Sequence, residues 1–168
     1  MPMTEAPTCT DYTCAREFFE GVRAAAIEAE RTRRQVESME AAEGVRAQGY
    51  APTVRGTRAD VNGTSATDAR IDYEERMRGR LEADYALVDE GCAVAYGPDN
   101  KGGVCAILGS EYADALWWRY CAGESWTKAA SMVGASIKTI QRWCDVAFDT
   151  IDAVGWDAAK RGEGAAQW

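Results

Sequence analysis

From Asp11 to Gln48, small and apolar residues return every three or four positions: Phe18, Val22, Ala25, Ala29, Thr32, Val36 and Met39. Alternating steps of four and three keep one edge of a helix facing a partner helix. The segment is rich in Ala, Glu and Arg and holds no proline, so one long helix is expected, roughly 55 Å at ~1.5 Å per residue. Residues 49–66, GYAPTVRGTRADVNGTSA, have no sustained period and read as a mobile loop. A second helix is expected from near Thr67, with Ile71, Met77, Leu81, Tyr85, Val88 and Cys92 as its apolar stripe. Asp68, Asp72, Glu74 and Glu75 fall in its early turns, where the helix dipole favours acids. Neither stripe can be hidden alone. The pattern therefore predicts an antiparallel helical hairpin over 11–96, able to pair with a second copy as a homodimer.

Tyr96 to Gly103, YGPDNKGG, carries strong turn chemistry. Its Gly-Gly invites comparison with a phosphate-cradling loop, but the GK[ST] ending and preceding strand are missing, so a tight helix–helix connection is expected. A short helix over Gly103–Leu108 follows, then one from Glu111 to Cys121 that stops at Ala122-Gly123. Ser125 is placed to cap a helix over Trp126–Val133, and Ser136 to cap another over 137–153, with Gly134 at the turn between them. Ala130 is small where the two helices would approach, and Ile137, Ile140 and Trp143 supply one apolar face. Two helices crossing at about 90–120° need such an order, which is that of a helix-turn-helix. Trp117, Trp118, Trp126 and Trp143 read as core of this module rather than as a base-stacking platform. Residues 1–10 are expected to be flexible. The tail 154–168, with Gly155, Gly162 and Gly164, is expected to be partly disordered, with Trp156 folding back on the module. The fold class is thus all-α: a long antiparallel helical hairpin followed by a small helix-turn-helix domain over 103–153.

Composition sharpens this division. Thirty residues are Ala, while Leu, Ile, Val and Phe number only 24, and every Trp lies at or after Trp117. A dense core is therefore expected in the C-terminal third. The net charge of −8 argues at first against nucleic acid and anionic membranes. It is unevenly spread. Asp11–Ala47 has six basic and eight acidic residues and Thr67–Ala95 has four and eight, whereas Ser125–Trp143 carries Lys128, Lys138 and Arg142 with no acid.

On the helix from Ile137, Lys138, Thr139, Gln141 and Arg142 lie opposite Ile140 and Trp143. With Thr127, Lys128 and Ser136 beside them, they form the candidate DNA-contacting set, of types that reach phosphates and base edges in a major groove. The competing reading is the solvated face of a small bundle. Three phosphate contacts give a salt slope of only about −2.7, so one module binds weakly. Two copies joined through the hairpin would set their reading helices roughly 34 Å apart.

Other functions find less support. No run of ~18 apolar residues suggests a membrane span, and Met1–Thr10 lacks the regions of a signal peptide. The six cysteines, at 9, 14, 92, 105, 121 and 144, include no CxxC, and the chain has no His. A zinc site would need thiolates gathered from unrelated positions, so reduced cytosolic thiols are expected instead. Lack of His removes the commonest general base. No catalytic, metal or cofactor residue is assigned, and a cytoplasmic protein that is not an enzyme is expected.

Residues 118–147, WRYCAGESWTKAASMVGASIKTIQRWCDVA, resemble region 4 of sigma-70-type factors. Arg119-Tyr120, Gly123, Ser125-Trp126, Ala130, Val133-Gly134, Ser136, Thr139-Ile140, Arg142 and Ala147 fill places of that pattern, while Trp143 stands where it has a small aliphatic residue. The layout of long helix, polar loop, second helix and sigma-like module is similar to phage-encoded late regulators of the ArpU and RinA kind. The resemblance implies an all-helical, sequence-specific regulator of late phage or prophage genes that binds double-stranded DNA through its last module; RNA polymerase is a candidate further partner. Two alternatives stay open: a packaging protein like a terminase small subunit, and an interaction module that grips RNA polymerase without DNA.

Overall fold

The computed structural model describes residues 7–48 and 61–164, with side chains over 7–44 and 68–164. A single 3-10 turn, Cys9–Asp11, leads into α1 (Ala15–Gln48) and α2 (Val61–Tyr96). There follow α3 (Gly103–Leu108), α4 (Ser110–Leu116), a π-helical turn (Trp117–Cys121), α5 (Trp126–Val133), α6 (Ile137–Val154) and α7 (Trp156–Arg161). No strand occurs among the described residues.

Alternating apolar positions on α1 do what their spacing predicts. Phe18, Val22, Ala25, Ala29 and Thr32 are buried, and Val36 and Met39 are half-buried. They face α2, which runs antiparallel, because Arg70 Nη2 meets Glu43 Oε1 at 2.5 Å and Arg80 Nη2 meets Glu28 Oε1 at 3.3 Å. At the base, Gly91 lies against Val22: a Cβ there would sit 2.9 Å from Val22 Cγ1, so the missing side chain sets how closely the helices approach. The stripe expected on α2 is only partly right. Met77 is buried, but Ile71 and Tyr85 are exposed, and the inward face is completed by Leu87, Gly91, Val94 and Ala95. Glycine and alanine pack there without standing out in a hydrophobicity pattern.

Three segment boundaries differ from the sequence expectation. The second helix begins at Val61, not near Thr67, so 61–66 are helical rather than loop, while 49–60 of the expected loop lie outside the described residues. The expected flexible start is ordered from residue 7: Thr8 donates to Asp11 Oδ2 through its backbone N–H at 2.7 Å, and Cys9 is buried; residues 1–6 lie outside. The tail forms α7, whose Trp156 packs edge-on against Phe18 at 5.0 Å and whose Ala159 is buried. Its sequence WDAAKR is too short to display a period, so only packing reveals it. Residues 165–168 lie outside.

The glycines of 97–103 answer to crowding. Gly97 (φ 82°) and Gly103 (φ 69°) occupy the left-handed region, and a Cβ on Gly102 would lie 2.4 Å from the Lys160 carbonyl oxygen. The turn is packed between α2 and α7, with Lys160 bonded to Glu90 of α2 and the Cys9 thiol donating to the same carboxylate at 3.2 Å.

One core joins the base of the long pair to the C-terminal helices. Phe19 of α1 meets Tyr120 of the π turn and Phe148 of α6, with ring centroids 5.8 and 5.7 Å away. Leu116, Ile140, Cys144, Ala147 and Ile151 belong to the same buried cluster. The start of α1 is also held by α6: Asp152 Oδ1 accepts the Ala15 N–H at 2.7 Å, satisfying an orphan donor where the dipole favours an anion. The core expected in the C-terminal third is present and also extends to the N-terminal helix. Two phenylalanines from α1 complete it, which explains how so few large aliphatic residues suffice.

Candidate nucleic-acid interface

Local chemistry shapes the surface formed by α5, its turn and the first turns of α6. Ser125 Oγ accepts the Lys128 N–H at 3.2 Å and starts α5. Gly134 ends it at φ 75° with nothing within 4 Å of a hypothetical Cβ, so glycine is required there by backbone conformation rather than by space. Ser136 Oγ accepts the Thr139 N–H at 3.1 Å and starts α6, and the two hydroxyls lie 2.8 Å apart. Ala129, Ala130, Ile140 and Cys144 turn into the core.

These caps distribute the candidate residues. Thr127, Lys128, Lys138, Gln141 and Arg142 are exposed on the outer surface. Among the described residues none of Lys128, Lys138 and Arg142 makes a salt bridge. Ser136 is exposed as well, yet its hydroxyl caps the helix, and Thr139 is half-buried with its hydroxyl turned to Ser136. Both therefore act first as cap residues. Ser136, Lys138, Thr139 and Arg142 also line a groove of about 450 Å³, together with Tyr112, Trp143 and Val146.

The aromatic cluster is built inward. Trp143 leans on Tyr112 at 5.8 Å, Trp126 meets Tyr120 edge-on at 6.2 Å, and Trp117 meets Trp118 edge-on at 4.8 Å. The Arg119 guanidinium lies 4.4 Å over the Trp126 ring and donates to the Glu124 carbonyl oxygen at 2.9 Å. Such stacking fixes the entrance of α5. It is stiffened by the π turn, where Ala122 N–H reaches back to the Trp117 carbonyl oxygen at 2.8 Å.

Two features escaped the sequence reading. Ile137, expected on the inward face, is 40 % exposed, because the buried register of α6 begins at Ile140. Tyr112 lines the groove from α4, twenty-six residues before Lys138 and on another helix, so no local spacing signals it. The later turns of α6 change sign: Asp145, Asp149 and Asp152 are exposed, and Asp145 is paired with Arg16 of α1 at 2.7 Å. The basic surface thus ends after the second turn of α6.

No helix among the described residues is long and apolar enough to cross a membrane. No family model matches the chain, and no curated protein and no solved structure matches it either.

Proposed function

We propose that the protein is a sequence-specific DNA-binding transcriptional regulator, in which α5 and α6 form a helix-turn-helix and α6 enters the major groove. The observation that carries this reading is the unpaired basic surface of Lys128, Lys138 and Arg142, with Gln141 and Thr127 among them, in a chain of net charge −8. A surface kept free of acid over nineteen residues, 125–143, beside 27 acids elsewhere, suits a polyanion. Arg and Gln in the first turns of a helix supply bidentate donors and acceptors for guanine and adenine edges. The resemblance of 118–147 to sigma-70 region 4 supports the same reading, as does the likeness of layout to phage-encoded regulators.

On this view α1 and α2 are a helical hairpin that joins two copies. Ile71 and Tyr85, both exposed and on one side of α2, support a homodimer. The acids of the hairpin repel DNA and leave the module as the face that approaches it, and RNA polymerase stays a candidate second partner. Fluorescence anisotropy with labelled duplexes at low salt tests the proposal. Wild-type protein should bind, and the doubly substituted Lys138→Ala, Arg142→Ala protein should bind at least tenfold more weakly with unchanged helical circular dichroism. Equal binding by the two proteins would overturn the assignment of this face.

A further inference from the structure

Two apolar side chains are exposed in the acid-free stretch 125–143, Met132 on α5 and Ile137 on α6, and only Ile137 stands at the start of α6, beside Lys138. Ile137 opens α6 between the Ser136 cap and Lys138, and no neighbour covers it fully: it is 40 % exposed. The residues that bury α6 begin three positions later, with Ile140, Cys144, Ala147, Phe148 and Ile151. Charge along the outer side of the helix decides how a duplex could reach it. Lys138 and Arg142 occupy the first two turns, and Asp145, Asp149 and Asp152 the next three. If α6 lay along a groove for its whole length, those carboxylates would face phosphates. An approach by the N-terminal end alone avoids this, and it is the end that reads bases in helices of this arrangement. Ile137 stands at that end.

The major groove offers one conspicuous apolar group, the 5-methyl of thymine. We propose that Ile137 reads a thymine by packing on this methyl, so the preferred duplex site has an A·T pair beneath the first turn of α6. The inference rests on the DNA-binding reading and deepens it, adding an apolar determinant to the polar set of Lys138, Gln141 and Arg142. Burial against a base would also cover the part of Ile137 that the protein leaves in water.

The preferred site is first selected from a random duplex library with the full chain. Each thymine is then replaced in turn by deoxyuridine, which deletes the methyl and keeps every hydrogen-bonding group. At one thymine per half-site, wild-type binding should weaken about fourfold, the equivalent of one buried methyl group. Ile137→Ala should bind the unmodified site more weakly and show no further loss at that thymine, whereas Ile27→Ala, at an exposed position on α1 outside the basic surface, should behave as wild type. Ile137→Val, which shortens the side chain by one methyl, gives a second reading of the same coupling. Selection of a site with no methyl effect, or with the same methyl effect in wild type and Ile137→Ala, would overturn the inference while leaving DNA binding in place. Failure to enrich any sequence, with no duplex bound at low salt, would overturn both.

Discussion

Replacing Phe19 by alanine separates a shared core from two independent ones. The ring is fully buried, with Phe18, Tyr120 and Phe148 at centroid distances of 5.1, 5.8 and 5.7 Å. Deleting such a ring loses its transfer free energy and leaves a cavity that relaxes only in part, for about 3–5 kcal/mol. With a urea dependence of about 2 kcal/mol per molar, a loss of ~4 kcal/mol lowers the unfolding midpoint by about 2 M. The placement of the tryptophans makes the experiment decisive, because all six lie at or after Trp117 while Phe19 is on α1. Tryptophan fluorescence follows the C-terminal helices, and far-ultraviolet circular dichroism is dominated by the two long helices. If the core is shared, Phe19→Ala moves both midpoints down together. A fluorescence midpoint that stays in place while the circular dichroism midpoint falls would refute the shared core. Should the alanine variant fail to fold, Phe19→Leu, at about 1–1.5 kcal/mol, tests the same coincidence more gently.

Three further outcomes follow from particular contacts. Asp152→Ala removes the carboxylate that caps α1, and thermal or urea unfolding should report a loss of about 1 kcal/mol, with Asp152→Asn retaining most of it. Glu90 is raised by burial but held net below the usual carboxylate range by hydrogen bonds from Lys160 and Cys9. The folded state therefore binds fewer protons in acid than the unfolded state, and this contribution is present at neutral pH and lost as the pH falls through the folded pKa. The stability gap between wild type and Glu90→Gln should be open at pH 7 and close below about pH 4; a gap independent of pH would contradict the pairing. The Cys92 thiol is held below the usual thiol range by a hydrogen bond with Cys121, opposed by burial and aided by Trp117, while Cys121 is raised. Iodoacetamide at neutral pH should label Cys92 ahead of the other five cysteines, as peptide mapping would show, and earlier labelling of Cys14 or Cys105 would count against it.

Helices with their own punctuation were legible in the sequence. Ser125, Gly134 and Ser136 carry cap and turn chemistry in single residues, so α5 and the start of α6 could be placed before any tertiary contact was known. The α1 seam was legible because its inward residues are mostly apolar and regularly spaced. On α2 the inward residues include Gly91 and Ala95, whose role is to be small, while apolar Ile71 and Tyr85 face outward, so hydrophobicity pointed partly the wrong way. Long-range partnerships left no local trace. Nothing near Ala15 announces that Asp152 will cap it, and nothing near Lys138 announces Tyr112 in the same groove. In the candidate site, charge and residue type marked Lys128, Lys138, Gln141 and Arg142. The prior engagement of Ser136 with Thr139, and the exposure of Ile137, depend on where the core of α6 begins.

The salt dependence of duplex binding tests the central claim most directly, since it counts phosphates met by the basic surface. Plotting log K against log salt concentration for the wild type should give a slope of about −2.7 for each bound copy, with Lys128→Ala shallower by about 0.9 per copy. A flat plot, or a slope unchanged when Lys128 is removed, would contradict the account.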